Sequence, residues 1–82
     1  MPTILRFNGL RVVVYPKDHR PAHVHVIGAD CEAVFNLNCP EGQLALRESF
    51  GFSTRELNQI AERLKTEQGV LCPAWRTIHH DY

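Results

Sequence analysis

The sequence predicts an α+β domain: a small antiparallel sheet of about four strands, then one main helix and a short C-terminal helix. Three observations carry this. Asn8-Gly9 stands between two β-rich runs, the strongest short hairpin signal, because a type I′ turn needs positive φ at both central positions. Ser53-Thr54-Arg55-Glu56 spells a capping box, in which the serine serves free helix N–H groups and the glutamate reaches back. Behind it, Leu57, Ile60, Ala61 and Leu64 recur at i, i+3, i+4 and i+7, one face of a helix.

The elements follow in order. Residues 3–7 and 10–15 form the first two strands around Asn8-Gly9, and consecutive Val12, Val13 and Val14 suit a strand apolar on both faces at the sheet centre. Residues 16–21 lie between two prolines and are polar, so they form an exposed loop. A third strand spans 22–27 and Gly28-Ala29-Asp30 turns the chain. A fourth spans 31–37, with Cys31, Ala33, Phe35 and Leu37 on one face and Glu32, Val34 and Asn36 on the other. Pro40-Glu41-Gly42 is a turn, and residues 43–46 form a short fifth strand. The main helix covers 54–68, with Phe52 and Leu57 placed as a hydrophobic staple and Gly69 just past its end. Pro73 opens the second helix, which sets Leu71, Trp75, Ile78 and Tyr82 on one side. One helical stripe and one sheet face bury each other.

At 82 residues the chain is expected to be one domain, 1–82, with a thin core. Nine basic and nine acidic residues cancel, which argues against a general nucleic-acid scaffold but leaves room for a local basic patch. Cys31, Cys39 and Cys72 are odd in number and form no C-x-x-C pair, so reduced thiols in a cytoplasmic protein are expected. The opening residues lack a signal-peptide pattern, and no apolar run approaches the ~20 residues of a membrane span.

The sharpest chemical suggestion is the strand around His23 and His25. Alternation puts His23, His25 and Ile27 on one face and Ala22, Val24 and Val26 on the other. Two imidazoles at this spacing suit acid–base work near neutral pH. One would take a 2′-hydroxyl proton from RNA and the other would protonate the leaving oxygen, with Arg20 or Lys17 stabilising the phosphate. His23→Ala is then expected to abolish activity without unfolding. His19, Arg6 and Arg11 would extend a binding patch, although the two arginines equally suit edge charges that discourage aggregation. The same pair would grip a metal given a third ligand. None stands at a diagnostic spacing, His79 and His80 being the nearest candidates, so no metal and no cofactor is assigned. A solvent-facing strand with no chemical task explains the histidines as well. Trp75 is either a partner anchor or a core residue. Among histidine-triad nucleotide hydrolases a third histidine would fall at Ile27, and that resemblance ends there.

The chain resembles a family of small bacterial proteins, domain-of-unknown-function family 4160. The residues that carry this are the Met1-Pro2-Thr3-Ile4-Leu5-Arg6 opening, Gly9, the Asp18-His19-Arg20-Pro21-Ala22-His23-Val24-His25-Val26 block, Glu32-Ala33 with Phe35, Gly51-Phe52-Ser53, Glu56-Leu57 and Ala74-Trp75. The resemblance implies a toxin–antitoxin component, paired with a second small protein and acting on RNA, and it carries no catalytic residues. Gly69-Val70-Leu71-Cys72-Pro73 interrupts the polar helix that the pattern leads one to expect before the tryptophan.

Overall fold

A computed structural model describes residues 3–39 and 42–79. The expected turn residues Pro40 and Glu41, the opening Met1-Pro2, and His80 and Tyr82 lie outside the described residues. Five strands form one antiparallel meander in the order β1 (Thr3–Phe7), β2 (Leu10–Val13), β3 (His23–Gly28), β4 (Cys31–Asn36) and β5 (Ala45–Phe50). Two helices follow, α1 (Thr54–Thr66) and α2 (Gln68–His79). The α+β architecture is as the sequence predicts, with five strands rather than about four.

The first hairpin closes through Asn8 and Gly9, both at positive φ (50° and 75°), between the paired Phe7 and Leu10. The mirror-image turn matches the strand twist, which is why Asn-Gly is favoured there. β5 runs longer and later than the short strand expected at 43–46. Its register against β4 steps at one point: Leu46 faces Phe35 and Glu48 faces Val34, which leaves Arg47 as the extra residue of a bulge. Gly51 follows at φ 83°, and a Cβ there would lie 2.7 Å from the Asp30 carbonyl oxygen. Only glycine lets the chain leave the sheet at this point.

Both helices lie on one sheet face. Val12, Val24, Val26, Ala33 and Phe35 from the sheet pack with Ile60 and Leu64 of α1 and Leu71 and Trp75 of α2. The capping box of α1 is formed: the Ser53 hydroxyl accepts from the Glu56 N–H at 3.1 Å, and the Ser53 N–H donates to Glu56 Oε1 at 2.8 Å. Phe52 and Leu57 pack against the core together.

Two expectations are corrected here. The second helix begins at Gln68, not at Pro73, so Gly69 lies inside α2 rather than past the end of α1. Pro73 costs α2 one backbone hydrogen bond, and tertiary contacts offset it. The Gln68 side chain donates to the Leu37 carbonyl at 2.7 Å and the Gly42 carbonyl at 2.9 Å, and Leu71, Cys72 and Trp75 are buried. The cysteines are not all reduced: Cys39 and Cys72 are joined by a disulfide, and Cys31 remains free. The two stand 33 positions apart in sequence, and only the fold brings α2 back beside the end of β4.

Candidate functional site

Residues 15–20 fold over the sheet face that the helices leave open. The turn is closed by the Asp18 N–H, which donates to the Tyr15 carbonyl at 3.0 Å, and by the Tyr15 N–H, which donates to Asp18 Oδ2 at 3.3 Å. This places the Asp18 carboxylate directly over β3. Val13 and Val34 are buried on this face without joining the helix-side core.

The two β3 histidines point at Asp18. Its Oδ2 is 3.3 Å from His23 Nε2 and 3.1 Å from His25 Nε2. The opposite ring nitrogens are both occupied: His23 Nδ1 is 2.8 Å from the Pro21 carbonyl oxygen, and His25 Nδ1 is 2.9 Å from Glu32 Oε2. A carbonyl only accepts, so His23 Nδ1 carries a proton and donates, whereas His25 meets a carboxylate at each ring nitrogen. The side chains are 6% exposed at His23, 15% at His25 and 18% at Asp18, which places the cluster at the floor of a cleft rather than on an open strand face.

Aromatic rings hold the histidines in place. Tyr15 meets His25 edge-on at 4.7 Å between centroids, His25 and His23 are 5.2 Å apart, and His23 is 5.2 Å from Trp75. His79 stacks on the far side of Trp75 at 3.9 Å, and its Nε2 donates to the Tyr15 carbonyl at 3.2 Å. His79 therefore approaches the site as a buttress and not as a member of the cluster. Trp75 is fully buried and packs in the core. His23 is equally buried and bears on Trp75, so His23→Ala removes packing as well as an imidazole; His25 is the residue whose change separates chemistry from folding.

The cleft has a volume of about 260 Å³. Lys17, Asp18, His19 and Arg20 line it from the loop, His23 and His25 from β3. Arg47 and Glu48 line it from β5, both able to do so because the bulge at Arg47 breaks the strand's alternation. Of the sequence candidates, the fold thus gathers His23, His25, Arg20, Lys17 and His19. Arg6 and Arg11 pair with each other, and Arg11 faces Ile27; they share the histidine face but do not line the cleft.

Asp18, Glu32 and Arg47 were missed as site residues. Glu32 was within reach: a hairpin turning at Ala29-Asp30 sets His25 opposite Val34 and therefore diagonal to Glu32. Asp18 gave no such signal, because a loop has no register. Both Nε2 atoms and the Asp18 carboxylate oxygen lie within 4.8 Å of one another.

Hydrogen bonds from the Ser53 backbone N–H and then its hydroxyl hold the Glu56 carboxyl below its ordinary value.

Fold and cleft together define a small α+β protein, an antiparallel meander with two helices on one face and a loop-covered histidine cleft on the other. The chain belongs to the family described as Domain of unknown function (DUF4160), whose model matches residues 9–76. No curated protein and no solved structure gives a significant match. No helix among the described residues is long and apolar enough to cross a membrane.

Proposed function

We propose that the protein acts on RNA at this cleft, as the toxin-like member of a bacterial two-protein pair working in the cytoplasm. One observation supports it above the rest: two imidazoles and a carboxylate meet at the floor of a cleft lined by Lys17, His19, Arg20 and Arg47. Cations at a cleft rim attract a phosphate backbone and offset the charge that grows on the phosphoryl oxygens during its cleavage. The reaction class that fits is transesterification. The 2′-oxygen bonds to phosphorus as the bond to the 5′-oxygen breaks, the 2′-hydroxyl proton is taken at the cleft floor, and the 5′-oxygen is protonated from water. Induced expression in bacteria tests the proposal. The native chain is expected to arrest growth and degrade transcripts, and a folded His25→Ala chain is expected to do neither. Unaffected growth, together with no binding to single-stranded RNA at low salt, would overturn it.

A second proposal, a module that pairs with a small cognate protein, is favoured by β5. This edge strand is exposed at every residue, and Phe50 is 66% exposed. An extended partner segment would add to it as a further strand, displaced at the Arg47 bulge. A complex that survives His25→Ala but not Phe50→Glu supports it; a chain that runs as a free monomer in cell extract speaks against it.

A further inference from the structure

We infer that Asp18, His23 and His25 form a binding site for one divalent transition-metal ion, held by Asp18 Oδ2 and the two Nε2 atoms. The inference goes beyond the RNA proposal and does not depend on it.

The hydrogen bonds of the two rings lead to it. His23 Nδ1 donates to the Pro21 carbonyl, so a neutral His23 presents its Nε2 lone pair to Asp18 Oδ2. His25 meets a carboxylate at each ring nitrogen, Glu32 at Nδ1 and the same Asp18 Oδ2 at Nε2; with its one proton on Nδ1 its Nε2 also turns a lone pair to that oxygen. One dication at the focus bonds all three atoms at once.

Two of the three distances agree. Ligand atoms about 2.0–2.2 Å from a metal lie roughly 3–3.4 Å from one another around it. The two carboxylate–imidazole separations are 3.3 Å and 3.1 Å; the two Nε2 atoms lie within 4.8 Å, and the rings close on the ion as it binds.

The surroundings are those of a ligand set. Metal-binding histidines donate their other N–H to a carbonyl or carboxylate, and ligating carboxylates are themselves hydrogen-bonded. His23 meets Pro21, His25 meets Glu32, and Asp18 Oδ2 accepts from the Tyr15 N–H. Two imidazoles and one carboxylate suit zinc, nickel, cobalt or ferrous iron rather than magnesium or calcium, which prefer oxygen alone. Three protein ligands leave positions open, and these would face the cleft, where water or an anionic substrate oxygen can complete the shell.

The test uses the purified, oxidised full chain, stripped with chelator and titrated with zinc, then cobalt, in the absence of nucleic acid. Calorimetry should show one equivalent bound and thermal unfolding should shift upward. The cobalt spectrum should show imidazole and carboxylate ligation without a thiolate charge-transfer band, which excludes the free Cys31. Asp18→Asn and His25→Ala, each confirmed folded by circular dichroism, should abolish binding. Glu32→Gln should weaken it about 10–100-fold, because Glu32 only orients His25. No heat and no thermal shift with zinc or cobalt would overturn the inference, as would zinc binding unchanged by Asp18→Asn and His25→Ala. RNA cleavage that fails while zinc binds as described would remove the RNA proposal alone.

Discussion

The two faces of the sheet are buried by different means. On the helix side, Val12, Val24, Val26 and Phe35 meet Ile60, Leu64, Leu71 and Trp75, and apolar surface alone does the work, at roughly 25 cal/mol per Å² removed from water. On the loop side, Val13 and Val34 are as well buried, yet their cover is Asp18, His23 and His25. Burying those groups demands partners, and the Nδ1 atoms have them while the Nε2 atoms share one carboxylate oxygen. A face closed by apolar side chains is a core, even with the buried Trp75 indole N–H left without a hydrogen-bond partner. A face closed by side chains whose bonding is incomplete is a place for a ligand.

Trp75→Ala should break both faces, because the ring belongs to the helix-side core and also bears on His23. A loss of about 3–5 kcal/mol, against a total of about 5–15 kcal/mol for a natural domain, should be visible as a large fall in the urea midpoint. Leu64→Ala sharpens the contrast: it should cost about 2–5 kcal/mol and leave zinc affinity unchanged in whatever fraction remains folded. Opening the Cys39–Cys72 bridge should come next. Its separation of 33 residues corresponds to about 4 kcal/mol of loop-closure entropy, read as a lower melting temperature in a phosphine reductant.

His25→Ala isolates the other face. It should cost about 1 kcal/mol of stability in metal-free protein, the scale of one hydrogen bond, while removing metal binding altogether. The smallest expected effect lies away from both faces. Glu56 titrates lower in the folded chain because the Ser53 backbone N–H and hydroxyl bond its ionised form. A lowered folded value adds stability above the ordinary carboxylate range, and that stability is lost as pH falls through the folded value. Denaturation midpoints of the native chain and Glu56→Gln should therefore differ at neutral pH and converge in acid.

Much of the fold was legible because it is written locally. Asn8-Gly9 closes its hairpin, Ser53 and Glu56 cap their helix, and Leu57, Ile60, Ala61 and Leu64 face the core as their spacing requires. Alternation on β3 also separated His23 and His25 from Val24 and Val26 correctly. The same local signals misled at α2, where Gly69 and Pro73 read as a helix end and a helix start. Gln68, Leu71 and Trp75 override them through contacts with residues far away in the chain.

The sequence by itself determined the first four strands, the turns at Asn8-Gly9 and Ala29-Asp30, the first helix and the pairing of two histidines on one face, since each depends on neighbours within a few positions. Tertiary structure alone decided that Asp18 stands over those histidines, that Arg47 turns into the cleft at a bulge, that Trp75 and His79 brace the site, and that Cys39 meets Cys72. Those outcomes depend on how a loop, a strand register and a helix dock on the sheet. Docking is governed by the summed packing of the whole chain, which no short stretch of it records.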